Sequence, residues 1–232
     1  MLLLIGVSRL DTAWARLAIE TLESPITMIQ SSPAAPEVEL IPFRKGDKWG
    51  YSDRNKNLVI AAGYDEVDQF PKEFIRVKLN GKWGFIDRTG KEVIPLTYDQ
   101  AKGFSEGLAA VRLGSKWGFV DRTDKVSIPR LYDYVGYFSE GLVLVELNGK
   151  WGFIDKTGKV TILPEYDQVN WFNEGLATVK LNGKWGYIDK TGKVVIPLKY
   201  EHAYPFILGL AEVQLNGKSF YIGRDGTEYY AP

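Results

Sequence analysis

The feature that most constrains this chain is a tryptophan–glycine pair that recurs every 34 residues without drift. A fixed period of this length is typical of stacked copies of one supersecondary unit, each too small to bury its own hydrophobic face. One further period reaches Ser219-Phe220, a degenerate copy of the motif. The spacing therefore predicts an array of units rather than one irregular core. The tryptophans that set the period are Trp49, Trp83, Trp117, Trp151 and Trp185.

The unit around Trp83 predicts short antiparallel strands. Asn80-Gly81 follows an apolar run, and both residue types accept positive φ, which suits a tight hairpin turn. The next strand is predicted over 82–87 and is followed by a second turn at Asp87-Arg88-Thr89-Gly90, where the aspartate can accept backbone N–H bonds. A further strand is predicted over 92–96. Each unit thus supplies three short strands, or four if residues 99–104 add one.

Helical periodicity is missing from the array, so the predicted fold class is all-β. Six units fit a β-propeller-like arrangement of six small blades, and an open solenoid of hairpin units is the alternative. We expect the tryptophans to be buried and to pack units together with the two other aromatic residues of each repeat. These are Tyr64, Tyr98, Tyr132, Tyr166 and Tyr200, with Phe70, Phe104, Phe138, Phe172 and Phe206.

The glycine after each tryptophan is predicted to be structural. A Cβ at this point would meet a ring or the backbone of the adjacent unit. The glycines concerned are Gly84, Gly118, Gly152 and Gly186.

The repeated motif Trp-Gly-[Phe/Tyr]-Ile-Asp-x-Thr-Gly-Lys-x-Val-Ile-Pro, with Glu-Gly-Leu-Ala upstream, resembles the bacterial WG repeat, also called the KWG repeat. The resemblance extends over residues 37–232 and departs from the pattern at the ends, with Ser52 in the first copy and Gly223 in the last. It implies a bacterial all-β repeat protein of the kind often grouped with β-propeller-like folds. It also implies a binding or scaffolding module without established catalysis.

Residues 1–36 are predicted to form an N-terminal cap helix and a linker, ahead of the array at 37–232. Ser8 and Asp11 can form a capping box, and Pro25 ends the helical pattern. A cleaved secretory signal is the alternative, but the apolar run of 2–7 is short and no basic residue precedes Arg9. A cytoplasmic location is therefore favoured over a secreted or envelope-associated one.

Composition excludes several classes of function. Lys+Arg and Asp+Glu both number 29, which argues against a nucleic-acid partner, and no apolar run predicts an integral membrane segment. The chain has no cysteine, and His202 is its single histidine, so no metal site is expected. One aspartate per unit fits turn capping better than calcium binding. No paired catalytic groups or phosphate-binding loop are present, so we predict no enzyme activity and no cofactor.

The segment that varies most between copies lies between the repeated Tyr-Asp and the repeated phenylalanine. In the third to fifth of these segments it becomes aromatic, which predicts a binding patch, since such side chains combine contact area with a hydrogen bond. The alternative is that they fill gaps between blades. The predicted patch is Tyr134, Tyr137, Trp171, His202 and Tyr204.

The patch predicts a partner protein, with a carbohydrate or cell-envelope ligand as the alternative. Solvent-exposed tryptophans would favour the carbohydrate. The lysine that precedes each tryptophan forms either a basic stripe or a solvated sheet edge.

Overall fold

The computed structural model describes residues 39–229, and these residues form strands and turns. They contain no helix long and apolar enough to cross a membrane. The strands make six small antiparallel sheets, called here blades 1 to 6 in chain order. The all-β, propeller-like array predicted from the repeat is therefore confirmed. The cap helix, linker and signal considered for residues 1–36 lie outside the described residues.

Blade 1 has three described strands, and blades 2 to 6 have four each, paired in chain order. Blade 1 consists of β1 (Ile41–Lys45), β2 (Lys48–Ser52) and β3 (Leu58–Tyr64). Blade 2 consists of β4 (Glu66–Val67), β5 (Phe74–Leu79), β6 (Lys82–Asp87) and β7 (Glu92–Tyr98). Blade 3 consists of β8 (Gln100–Ala101), β9 (Ala109–Leu113), β10 (Lys116–Val120) and β11 (Val126–Tyr132).

The last three blades repeat this plan. Blade 4 consists of β12 (Tyr134–Val135), β13 (Leu142–Leu147), β14 (Lys150–Asp155) and β15 (Val160–Tyr166). Blade 5 consists of β16 (Gln168–Val169), β17 (Leu176–Leu181), β18 (Lys184–Asp189) and β19 (Val194–Tyr200). Blade 6 consists of β20 (His202–Ala203), β21 (Leu210–Leu215), β22 (Lys218–Gly223) and β23 (Glu228–Tyr229). The first strand of blades 2 to 6 is thus a two-residue edge strand.

Both predicted turns form. Asn80 and Gly81, at φ of 51° and 80°, make a two-residue hairpin of the type that matches the twist of its strands. In the second turn, Asp87 Oδ1 accepts the backbone N–H of Thr89 at 2.8 Å and of Lys91 at 3.0 Å. The hydrogen bond from the Thr89 hydroxyl is the main reason that the pKa of Asp87 lies below its usual value. The repeated aspartates are therefore turn caps.

The glycine after each tryptophan lies beneath a bulge of its own blade. Trp83 pairs with Tyr98 and Phe85 with Ile94, so the one residue between them in β6 lies opposite three residues of β7. This backbone arches over Gly84, where a Cβ would lie 2.6 Å from Ile94 O. Gly118, Gly152 and Gly186 are equally confined. The predicted contact with the adjacent unit is therefore wrong, because the bulge brings the same blade's own strand over the glycine.

Adjacent blades pack face to face through clusters of buried side chains. Between blades 3 and 4, the rings of Phe119 and Phe138 meet edge to face with centroids 5.1 Å apart. The same contact recurs in three other interfaces, between Phe85 and Phe104, Phe153 and Phe172, and Tyr187 and Phe206. Packing of the repeat phenylalanine between units is confirmed at these positions. Phe70 is the exception, since its side chain is 85% exposed.

Charged side chains also join successive blades. Asp99, in the connection between blades 2 and 3, pairs with the Lys82 ammonium and accepts the backbone N–H of Gly114 at 2.7 Å. The equivalent ion pairs are Lys48–Asp65, Lys116–Asp133 and Lys150–Asp167. The lysine before the tryptophan is therefore a link between blades at these positions, a role that neither a basic stripe nor a solvated edge describes.

The outer face of the last blade differs from the internal faces. Tyr221 of blade 6 is 53% exposed, whereas Phe85, Phe119, Phe153 and Tyr187 at the same repeat position are at most 1% exposed. Within residues 39–229, no buried hydrophobic cluster joins blade 6 to blade 1.

Candidate functional site

The five residues of the predicted patch lie on or just after the edge strands of blades 4, 5 and 6. Tyr134 begins β12 and His202 begins β20. Tyr204 directly follows β20, and one residue separates Tyr137 from β12 and Trp171 from β16. All five side chains are exposed, and Trp171 and Tyr204 are 54% and 58% exposed. They therefore do not fill gaps between the blades.

Two cavities bring these side chains together. The first, called here the tyrosine groove, lies between blades 4 and 5, measures ≈ 530 Å³ and includes Tyr134, Tyr137 and Trp171. The second, called the histidine groove, lies between blades 5 and 6, measures ≈ 760 Å³ and includes Trp171, His202 and Tyr204. The walls that both grooves share are Trp151, Val169, Asn170 and Trp171.

The tyrosine groove is thus the smaller of the two, at ≈ 530 Å³ against ≈ 760 Å³ for the histidine groove. Because they share Trp171 and Trp151, the two grooves form one continuous aromatic surface across three blades. The five predicted residues therefore lie in two adjoining groups.

Each repeat tryptophan lies opposite a residue of the neighbouring strand, and in four blades that residue is a cation placed over the indole. The pairs are Arg44–Trp49 at 5.6 Å, Lys78–Trp83 at 5.5 Å, Arg112–Trp117 at 5.6 Å and Lys180–Trp185 at 5.7 Å, measured to the ring centroid. Such contacts stabilise by cation–π attraction.

Blade 4 breaks this pattern. The residue opposite Trp151 is Glu146, which is flanked on its other side by Tyr134. The ring of Tyr134 lies 5.5 Å from that of Trp151. Among residues 39–229, no cation lies over Trp151 and no lysine or arginine pairs with Glu146. Trp151 therefore has a carboxylate where the other indoles have a positive charge.

In the earlier blades, the equivalent grooves are filled by the chain's own cations. Between blades 2 and 3, Arg76 lies 4.7 Å from the centroid of Trp83 and donates to Ala101 O at 2.8 Å. Between blades 3 and 4, Lys102 lies 5.3 Å from the centroid of Trp117 and donates to Val135 O at 2.6 Å. In both cases, a side chain of one blade bonds to the edge strand of the next.

The tyrosine groove lacks such a side chain. Gly136 stands 34 residues after Lys102, and the space beside it is taken by Leu144, whose Cγ lies 2.8 Å from where a Cβ would be. Val169 O, the counterpart of Val135 O, belongs to an edge strand, and no side chain of the described residues donates to it. The groove thus retains aromatic walls and the carbonyl, but among the described residues no cation lies over Trp151 or bonds to Val169 O, although Lys102 contacts the rings of Tyr134 and Tyr137.

Burial of the tryptophans was expected, and this expectation is only partly correct. Trp117 is 5% exposed, but Trp49, Trp83, Trp151 and Trp185 are half-buried. Trp151 and Trp185 line the grooves.

A third cavity, of ≈ 820 Å³, lies between blades 2 and 3 and has a different character. Its charged walls are paired, Arg76 with Asp68 at 2.8 Å and Arg122 with Glu73 at 3.0 Å. Within residues 39–229, no three histidine, cysteine, aspartate or glutamate side chains converge as a metal site would require.

Glu146 and Trp151 are the site residues that sequence reasoning missed. The repeat predicts a structural role alone for Trp151 and no role for Glu146. The signal was available in the repeat itself, because the residues at positions 44, 78, 112 and 180 are all basic and only residue 146 of this series is acidic.

Comparison with known proteins identifies the repeat. The family model described as "WG containing repeat" matches residues 49–83, 83–117, 117–151, 151–185 and 185–218. No curated protein sequence matches the chain.

Solved structures align with the chain at low sequence identity. A eukaryotic initiation factor aligns with a TM-score of 0.55 and 8% identity, over 85% of this chain and 63% of its own. Kluyveromyces lactis Hsv2p aligns with a TM-score of 0.48 and 8% identity, over 82% and 74% of the two chains. A Bacteroides caccae protein of unknown function aligns with a TM-score of 0.31 and 14% identity, over 82% and 91%. Likeness at these identities concerns the fold alone.

Proposed function

The chain belongs to the WG containing repeat family, and from this premise we propose that it is a non-catalytic module that binds a partner protein through the aromatic surface of blades 4 to 6. The observation that carries the proposal is the continuity of the tyrosine and histidine grooves through Trp151 and Trp171. Exposed aromatic side chains with polar tips are enriched at protein interfaces.

The rigidity of the scaffold supports the same function. The aromatic residues project from edge strands held by the interblade cores, so little order has to be acquired on binding. The side chains in the grooves differ between blades while the turns and cores repeat. This separation is what a repeat scaffold with one specialised binding region requires.

A carbohydrate ligand is the second candidate. Trp151 and Trp185 are half-buried and line the grooves, so their rings are available for stacking on a sugar. Asn170 and Gln168 add hydrogen-bonding groups to the histidine groove.

Affinity capture from a bacterial lysate and an envelope fraction tests the proposal. The bait is the full chain, compared with a Trp171→Ala/Tyr204→Ala variant and with Phe70→Ala, a control that removes an exposed ring outside the two grooves. We expect the double variant to lose a captured protein that Phe70→Ala retains. Unfolding midpoints should stay close to that of the parent chain, because exposed side chains contribute about 0.5 kcal/mol or less to stability.

Equal capture by the two variants would contradict the proposal. Retention of the chain on cell-wall polysaccharide, released by soluble sugars and dependent on Trp171, would instead support the carbohydrate function.

A further inference from the structure

We infer that the tyrosine groove binds a cationic side chain of the partner, a lysine ammonium or an arginine guanidinium, over the ring of Trp151. The inference deepens the proposed function and rests on it, since it names the chemistry by which a partner protein is recognised. Its basis is a comparison between successive grooves of the same chain.

The neighbouring groove shows what this geometry holds. Lys102 fills it, with its ammonium 4.0 Å from the ring centroid of Tyr134 and 5.3 Å from that of Trp117. The same ammonium donates to Val135 O at 2.6 Å. A positive charge is thus held between two aromatic rings and a carbonyl of the next edge strand, with attraction from each.

The tyrosine groove repeats two of these partners one period later, whereas Gln168 stands at the repeat position of Tyr134. Trp151 takes the place of Trp117, and the carbonyl of Val169 takes the place of that of Val135. In the neighbouring groove, the Lys102 ammonium also lies 5.6 Å from the ring centroid of Tyr137. Trp171 occupies the repeat position of Tyr137 one period later. The tyrosine groove therefore has aromatic walls and a carbonyl suited to a cation. Lys102 reaches its Tyr134 and Tyr137 walls, but Gly136 supplies no charge, and no cation of the described residues lies over Trp151.

The local charge favours a positive occupant. Glu146 lies between Tyr134 and Trp151 on the same face of blade 4, at the position that Arg112 occupies in blade 3. No lysine or arginine among the described residues forms an ion pair with its carboxylate. A half-buried carboxylate beside an uncovered indole attracts an ammonium or guanidinium and gives nothing comparable to a neutral ligand.

The test uses the full chain and two short capped peptides. Each has four glycines around a central residue, which is lysine in one peptide and the neutral isostere norleucine in the other. Binding is followed by NMR through the indole N–H signals of Trp151 and Trp171. We expect the lysine peptide to shift both signals and to bind about tenfold more tightly than the norleucine peptide, which lacks the cation–π contact.

Two variants remove the site by restoring the pattern of the other blades. Glu146→Lys places a cation over Trp151, as Lys78 does over Trp83. Gly136→Lys combined with Leu144→Ala transfers the Lys102 and Ala110 pair of blade 3 to blade 4. Both should abolish the preference for the lysine peptide. Asp47→Lys is the control, because it makes the same change of charge at an exposed turn, and it should leave the preference intact.

Equal binding of the two peptides, or an undiminished preference in the Glu146→Lys and Gly136→Lys/Leu144→Ala variants, would overturn the inference. These outcomes are distinct from failure of the proposed function. If capture of the partner depends on Trp171 and Tyr204 but not on Glu146, the aromatic surface binds the partner and only the cation site is wrong.

Discussion

Blades 2 and 3 share a backbone plan with blades 4 and 5 but use it differently. In the first pair, Arg76 and Lys102 cover the indoles and bond to the next edge strand. In the second pair, Gly136 and Asn170 stand at the repeat position of Lys102, and the indoles line open grooves. One scaffold can therefore bury or present the same aromatic position, depending on a few side chains of the edge and adjoining strands.

The difference also separates stability from recognition. The turns, the bulges and the interblade cores recur in both halves, so they are the common requirement of the fold. The exposed groove side chains Tyr137, Trp171 and Tyr204 are free to change, because none of them belongs to an interblade core. Three predictions test this division, in order of expected effect.

The largest effect is expected from valine at the glycine beneath the bulge. Gly84→Val in the covered half and Gly152→Val in the open half should each lower the free energy of unfolding by about 3 kcal/mol, because the added atoms meet backbone that cannot move aside. Urea unfolding of both variants measures this effect. Lys150→Ala is the control and should cost about 1 kcal/mol or less, since it removes a partly exposed ion pair. A clear difference between the two glycine variants would show that the halves do not share one scaffold.

An intermediate effect is expected from removing a groove cation. Lys102→Ala should lower the free energy of unfolding by about 1–2 kcal/mol, because it removes a charged hydrogen bond and contacts with aromatic rings. Lys180→Ala, a lysine-to-alanine change in the open half, removes a cation–π contact with Trp185 and should cost about 0.5 kcal/mol. Thermal and urea unfolding of the pair provide the comparison. Equal losses would mean that Lys102 contributes no more than a surface lysine.

The smallest effect is expected from acid. Hydrogen bonds from Lys82, Lys116 and Lys150 are the main reason that the pKa values of Asp99, Asp133 and Asp167 lie below the usual value. Because the folded-state pKa values are lower than the unfolded ones, these links stabilise the fold above the unfolded pKa. Their contribution is lost as the pH falls from about 4 toward the folded-state values.

Thermal unfolding between pH 5 and pH 3 should therefore show a Tm that falls by a few degrees in acid. The links recur in both halves of the array, so acid should weaken the interfaces of the two halves alike. The Asp133→Asn variant should have a lower Tm than the parent chain at pH 5, and its Tm should fall less than that of the parent between pH 5 and pH 3. A Tm that rises on acidification would contradict the assigned role.

Much of the fold could be predicted because its determinants are local and repeated. The Asn80-Gly81 hairpin, the Asp87 cap and the strand at 82–87 all follow from residue types whose backbone preferences act within a few positions. The contact of Gly84 could not be predicted, because it depends on how many residues of β7 face β6.

The candidate site was predictable in part. The variable aromatic residues could be found by comparing copies, and the structure places all five on exposed edges. Their grouping into two grooves that share Trp151 could not be derived from spacing. Glu146 was also overlooked, although its charge breaks the series of cations opposite the tryptophans.

The sequence by itself determined the number of units, the strand and turn pattern and the aromatic candidates, because these depend on periodicity and on local backbone preferences. Only the tertiary structure decided which indoles are covered. That outcome depends on whether a side chain of one blade, such as Lys102, reaches across to a carbonyl of the next blade 33 residues away, which the periodicity of the sequence does not specify.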